Sequence, residues 1–346
     1  MRIAIVNDSL LAVESLRRVV VSAPEHEIAW IAYNGAEAVA NCLRDTPNLI
    51  LMDLTMPIMD GVTATRQIMA QTPCAILVIT ATIQGNGARV FEAMGAGALD
   101  ALNTPIVGAD GQGSGKAELL RKIQTIGCLI NGGNRLPAKG VEARPAPPAT
   151  NGTQLLAIGA STGGPAAVVT LLAGLPRDFQ GAVVLAQHMD EQFMDGFAAW
   201  LSTQCALPVR LASQGDRPQP GVVLIAGGKD HLILRSDGTL GYTGEPGDYP
   251  FRPSVNVLFE SIATQWNGAA LGVLLTGMGR DGADGLLAMR RKGYYTIAQD
   301  KASCAVYGMP RAAVEIGAAQ DVLALDQIAS CVSKAFAKMG YNKQTG

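Results

Sequence analysis

The sequence predicts two α/β domains in series, each a parallel sheet covered by helices. Three observations carry this. Short, nearly unbroken apolar runs alternate with amphipathic stretches along most of the chain, the pattern of strands buried on both faces. A single stretch rich in proline, glycine and alanine, NGGNRLPAKGVEARPAPPATNG over 131–152, interrupts that rhythm. The length of 346 residues suits two domains of roughly 150 residues each.

In the first domain, 1–130, the apolar runs Arg2–Val6, Ile28–Tyr33, Leu49–Leu54, Ile76–Thr80 and Leu99–Leu102 are the strand candidates. Between the first two, Leu10, Leu11, Val13, Leu16, Val19 and Val20 recur at helical spacing. Ala36–Leu43 has a similar pattern, and a closing helix is expected from Ala117 to Ile130. Residues 131–152 keep no hydrophobic period, and Pro145-Ala146-Pro147-Pro148 favours extended chain, so an interdomain linker is expected there. The second domain, 153–346, resumes with strands at Leu155–Gly159, Ala182–Gln187, Val222–Ala226, Gly272–Thr276 and Tyr295–Gln299. Its helices are expected at Pro165–Leu172, Val255–Gln265 and Gly285–Lys292.

Composition narrows the function. Hydrophobic residues at 48% and charged residues at 16% supply two packed cores and argue against disorder. A net charge of -2 lacks the basic excess of a nucleic-acid binder, so no nucleic-acid partner is expected. The six cysteines never form C-x-x-C, which fits a reduced cytoplasmic protein rather than a zinc ribbon or disulfide framework. Asp8 interrupts the apolar opening where a signal peptide needs an unbroken core. No run approaches the ~18 apolar residues of a membrane-spanning helix. Three histidines, His26, His188 and His231, are too few for a site with several imidazole ligands. The segment PIVGADGQGSGK is not a Walker A loop, because Asp110 replaces its first glycine and Ala117 follows Lys116.

Two candidate sites stand out. In the first domain Asp8 and Asp53 each follow a strand, and at the carboxyl edge of a parallel sheet such residues converge. Two carboxylates, a backbone carbonyl and waters would suit Mg²⁺, and an aspartate beside that ion can attack a phosphoryl donor. Thr80, ending its strand, could hydrogen-bond a phosphoryl oxygen.

In the second domain Gly159-Ala160-Ser161-Thr162-Gly163 fits G-x-S-x-G between a strand and a helix. The segment alone leaves two readings open, a phosphate or dinucleotide cradle and a nucleophilic serine. Ser161 at the second glycine position of the dinucleotide fingerprint tilts the balance toward the serine. Its base is expected to be His188, at the end of the strand VVLAQHM, whereas His231 is expected in a loop. Asp281, after the strand LGVLLT, is the candidate for orienting the imidazole; Asp284 fits better as a helix cap. The backbone N–H groups of Met278 and Thr162 are candidate oxyanion donors. The order Ser, His, Asp differs from that of the α/β-hydrolases.

The first domain, with its run MDLTMPIMDG, resembles the receiver domain of two-component response regulators over about residues 1–130. The resemblance implies a flavodoxin-like five-stranded sheet, Asp53 as phosphoacceptor, Asp8, Asp53 and the Thr55 carbonyl as Mg²⁺ ligands, and Thr80 as switch residue. Two positions depart from the pattern: Asn7 replaces one acid of the usual pair, and Thr104 stands where a lysine precedes Pro105. Losing those charges should weaken Mg²⁺ and the grip on a phosphoryl group.

The motifs GASTGGP, QHM, TGMGRDGADG, FRPSVNVLF and IAQDKASCAVYGMPRAA resemble the catalytic domain of CheB-type protein-glutamate methylesterases, over about 153–335. Ser161, His188 and Asp281 match that family's triad, and Asn256 replaces its aspartate in what should be a minor change. Asn7, Thr104 and the opening MRIAIVNDSLLAVESLRRVV look most like the Wsp-type, surface-sensing subgroup.

The resemblance implies demethylation, and deamidation, of a chemoreceptor-like partner without a catalytic cofactor. It also implies a CheA-type histidine kinase as phosphoryl source, and a receiver that blocks the catalytic cleft until phosphorylated. Two other functions fit the residues less well: an interaction protein with a degenerate receiver, and a serine hydrolase of small esters.

Overall fold

In the computed structural model, the described residues are 1–80, 83–105, 115–131, 153–247, 249 and 252–341. The chain divides into two compact units, Met1–Ala138 and Lys139–Gly346. Beyond Asn131, the stretch expected as a linker lies outside the described residues, as does most of PIVGADGQGSGK.

The first unit alternates strictly: β1 (Arg2–Val6), α1 (Leu10–Val21), β2 (Glu27–Ala32), α2 (Gly35–Arg44), β3 (Leu49–Met52), α3 (Gly61–Gln71), β4 (Ala75–Thr80), α4 (Ile83–Gly95), β5 (Asp100–Asn103) and α5 (Lys116–Asn131). The strands form one parallel sheet in the order β2-β1-β3-β4-β5, a flavodoxin-like arrangement. Strand β3 and nearly all of β1 and β4 are buried, as helices on both faces require. Helix α1 turns Val13, Leu16, Val19 and Val20 inward, and Leu119, Ile123 and Ile126 of α5 join the same cluster. Polar caps set where helices start: Ser9, Asn34 and Asp60 each accept a first-turn N–H.

The second unit runs β6 (Gln154–Ala160), α6 (Gly164–Ala173), β7 (Gly181–Gln187), α7 (Glu191–Gln204), β8 (Val209–Leu211), β9 (Val223–Ile225), β10 (His231–Leu234), β11 (Leu240–Thr243), α8 (Val255–Gln265), β12 (Ala270–Leu274), α9 (Ala283–Arg291), β13 (Tyr295–Gln299), α10 (Met309–Glu315), β14 (Asp321–Leu323) and α11 (Leu325–Tyr341). Seven strands form a parallel sheet in the order β14-β13-β12-β6-β7-β9-β8, and β10 pairs with β11 as an antiparallel hairpin. All five strands expected here are present. The edge strands β8 and β14 and the hairpin were not anticipated.

Two expectations need correction. His231 is not in a loop: it opens β10 and is fully buried, because hairpin pairing with Thr243 turns its ring inward. Asp284 does not cap α9. Gly282, in the left-handed region at φ 88°, holds the cap position without a side-chain bond, while Asp284 lies in the first turn and pairs with Arg280.

Candidate active site

In the second unit the chain starts at β6 and builds outward on both sides, to β7 in one direction and β12 in the other. The carboxyl end of β6 is therefore a topological switch point, where open parallel sheets leave a crevice for ligands. Ser161 is the first residue beyond β6. His188 is the first beyond β7, whose register pairs Ala160 with Gln187. Their backbones thus leave the sheet side by side, at the ~4.8 Å spacing of neighbouring strands. The His188 N–H donates to the Ala160 carbonyl at 3.0 Å and keeps that register beyond the last paired residues.

One buried amide braces both residues. Gln187 Nε2 donates to the Ser161 carbonyl at 2.8 Å and to the His188 carbonyl at 3.0 Å. From the β12 side, the Ser161 N–H donates to the Thr276 carbonyl at 3.0 Å. Ser161 has an ordinary negative φ; the left-handed residue of the turn is Gly163, at φ 74°. A Cβ on Gly163 would lie 2.5 Å from that of Ala305, so both space and backbone demand glycine.

Asp281 meets His188 directly: His188 Nε2 lies 2.7 Å from Asp281 Oδ2, with both side chains buried. The carboxylate also sits on the N-terminus of α8. It accepts from the Val255 N–H at 2.7 Å, the Asn256 N–H at 3.0 Å and the Ser254 hydroxyl at 2.9 Å. Burial pushes its pKa up, but the hydrogen bonds and charge of His188, with the two helix N–H groups, outweigh this and hold it below the usual range. An ionised Asp281 makes His188 Nε2 the protonated nitrogen, so the atom that could take a serine proton is Nδ1.

Thr162 and Met278 flank this serine. A Cβ on Gly277 would lie 2.7 Å from that of Ser161, so the turn carrying Met278 folds directly over it. Among the described residues, the backbone N–H groups of Thr162 and Met278 have no protein acceptor. The Thr162 N–H shares its peptide with the Ser161 carbonyl, which Gln187 Nε2 holds at 2.8 Å, and Thr276 Oγ1 donates to the Thr162 carbonyl of the next peptide at 3.0 Å. The arrangement can therefore offer a nucleophile, an oriented base and donors for a developing oxyanion.

Sequence reasoning missed Ser254 and the α8 N-terminus as partners of Asp281. The local signal was a serine one residue before the apolar run VNVLF, the position of an N-cap. Asn256 also has a task of its own: its Oδ1 accepts from the Gly285 N–H at 2.9 Å and ties α8 to α9.

In the first unit Asp8 follows β1 and Asp53 follows β3, at the switch point of that sheet. Asp53 is buried, and desolvation raises its pKa to about 6 against the pull of the Leu54 and Thr55 N–H groups, with the charge of Asp8 adding to the rise. Thr80 ends β4 beside it and is buried. The Asn7 side-chain oxygen accepts from the Ser9 N–H at 2.8 Å, serving the loop, and the Thr104 N–H donates to the Thr80 carbonyl at 2.9 Å. Among the described residues no three acidic, histidine or cysteine side chains converge. The carboxylates of Asp8 and Asp53, with a neighbouring carbonyl, are a hard oxygen set of the kind that suits Mg²⁺.

Among the described residues, no helix is long and apolar enough to cross a membrane. The family model described as CheB methylesterase matches residues 156–332, and that of the response regulator receiver domain matches residues 3–110. A protein from Pseudomonas aeruginosa named protein-glutamate methylesterase/protein-glutamine glutaminase 3 is 55% identical over 97% of this chain and all of its own length. A protein of the same activity name from Mesorhizobium japonicum is 56% identical over 97% of this chain and 98% of its own. The CheB methylesterase catalytic domain of Thermotoga maritima, a crystal structure, is 31% identical with a TM-score of 0.51, covering 54% of this chain and 100% of that one.

Proposed function

The chain belongs to the CheB methylesterase family, with a response-regulator receiver domain in front, and we propose that it demethylates glutamate γ-methyl esters on a chemoreceptor-like protein. One observation carries the chemistry: the 2.7 Å hydrogen bond from His188 Nε2 to Asp281, held one strand-end away from Ser161.

In this reading the Ser161 hydroxyl oxygen bonds to the γ-carbonyl carbon as its proton passes to His188 Nδ1. The N–H groups of Met278 and Thr162 receive the oxyanion, and ionised Asp281 stabilises the imidazolium. The intermediate collapses, the bond to the methoxy oxygen breaks, and His188 returns the proton so that methanol leaves. Water then cleaves the acyl-serine by the same path, and no cofactor takes part. A glutamine side chain would follow the same route with ammonia as leaving group, which extends the proposal to deamidation.

Control comes from the receiver. Asp53 accepts the phosphoryl group from a CheA-type histidine kinase, Asp8, Asp53 and the Thr55 carbonyl would hold Mg²⁺, and Thr80 senses the product. Bound Mg²⁺ would screen the charge of the phosphoryl oxygens. Asn7 and Thr104 support the narrower assignment to the Wsp-type subgroup, and the composition supports a cytoplasmic location. Methanol release from methylated receptor membranes tests the function: the wild type should release it and Ser161→Ala should not. Hydrolysis of small esters with none of receptor esters would replace this reading with a small-ester hydrolase.

A further inference from the structure

The second buried histidine of this unit has a task in the same site. We infer that His231 is a positioning residue for the Asp281–His188 pair, acting through Ser254; this rests on the triad reading above.

Ser254 and His231 are both fully buried. The Ser254 backbone N–H lies 3.0 Å from His231 Nδ1, and an N–H can only donate, so Nδ1 carries the lone pair. The proton of this neutral imidazole is therefore on Nε2, which donates to the Pro246 carbonyl at 3.2 Å. The ring of Tyr249 packs edge-on at 6.0 Å between centroids and helps fix the plane. His231 thus joins β10, the segment after β11 and the start of α8 through one rigid ring.

What it holds is the residue that aims Asp281. The N–H of an N-cap residue has no acceptor within its own helix, and here His231 supplies one. Ser254, fixed by its backbone, donates its hydroxyl to Asp281 Oδ1 at 2.9 Å while accepting from the Val257 N–H at 3.3 Å. The next two N–H groups of α8, those of Val255 and Asn256, bind the same carboxylate. Moving Ser254 would move three of the donors that orient Asp281, and with them the imidazole that Asp281 orients. His231 reaches none of the reacting atoms, so its contribution should appear in turnover rather than in substrate binding.

Three substitutions in the full-length protein separate this role from simple packing. His231→Asn places an amide oxygen near the position of Nδ1 and keeps an acceptor for Ser254. His231→Gln keeps a donor near Nε2 and loses that acceptor, and His231→Leu loses both. The measurements are kcat and KM for methanol release, with the downfield proton resonance of His188 Nε2–H, identified by its absence from His188→Gln. His231→Leu and His231→Gln should lose about 10²-fold in kcat, as expected for displacement of a catalytic group by about 1 Å, with KM within about 2-fold and the resonance shifted or lost. His231→Asn should recover most of kcat and the resonance.

Wild-type kcat and an unchanged resonance in folded His231→Leu would overturn the inference. If that variant does not fold, equal or better turnover by His231→Gln than by His231→Asn overturns it. Ser161→Ala, assayed alongside, keeps the two claims apart: survival of its activity defeats the nucleophile reading, while the resonance still reports on the link from His231 to His188.

Discussion

Two buried aspartates, each beyond the carboxyl end of a strand, are driven in opposite directions by their surroundings. Asp281 meets a helix N-terminus and an imidazole, and its pKa is lowered despite burial. Between its folded and unfolded values the unfolded chain binds more protons, so stability rises with pH there. Its contribution is complete above the unfolded carboxylate range and is lost as pH falls through the depressed folded value. Urea midpoints measured against pH should show that decline in the wild type and a flatter curve in Asp281→Asn. The same substitution should lower kcat by on the order of 10³–10⁴-fold, because an amide stabilises neither the tautomer nor the imidazolium. Asp53 has only two backbone N–H groups to set against burial and Asp8, and its pKa rises to about 6. The attacking form is the carboxylate, which bound Mg²⁺ would favour, so labelling by acetyl phosphate should fall at low pH, at a point that added Mg²⁺ moves down, and should be absent in Asp53→Asn. Label on Asp53→Asn equal to wild type would remove Asp53 from that role.

The turn from β6 into α6 shows how an element imposes its needs on single residues. Gly163 occupies the left-handed region under the side chain of Ala305, so Gly163→Ala should cost about 1–3 kcal/mol in urea unfolding and reduce turnover. Stability and activity equal to wild type would show that the turn can relax. This turn was legible in the sequence because G-x-S-x-G lies between an apolar run and a helical period. The central strands were legible for a related reason: β6 and β7, buried on both faces, are apolar almost throughout. The edge strands β8 and β14 have three residues each and are partly exposed, so they carry no such run. The hairpin hid for another reason. Its four-residue strands lack a clear alternation, and His231 read as polar punctuation although its ring is buried. Ser254 was visible as a helix start, but its bond to Asp281, 27 positions away, has no local signature.

For the whole molecule, the order of receiver then esterase was legible only because each half carries motifs of a known family, and the relatives match both halves in one chain. In the proposed function the phosphorylation state of the first unit controls the second. Acetyl phosphate should raise methanol release by the wild type and leave Asp53→Asn at its basal rate. A shift of ~1.4 kcal/mol toward the active form would appear as about a tenfold increase where that form is scarce. Equal stimulation of both proteins would separate the receiver from the catalysis. The central claim is that a receptor glutamate passes through a covalent bond to Ser161. The measurement that meets it most directly is mass spectrometry of acid-quenched reactions with a methylated receptor peptide. An adduct on Ser161 equal to the peptide less methanol, absent from Ser161→Ala, is expected; methanol release by Ser161→Ala at the wild-type rate would rule out the acyl-serine.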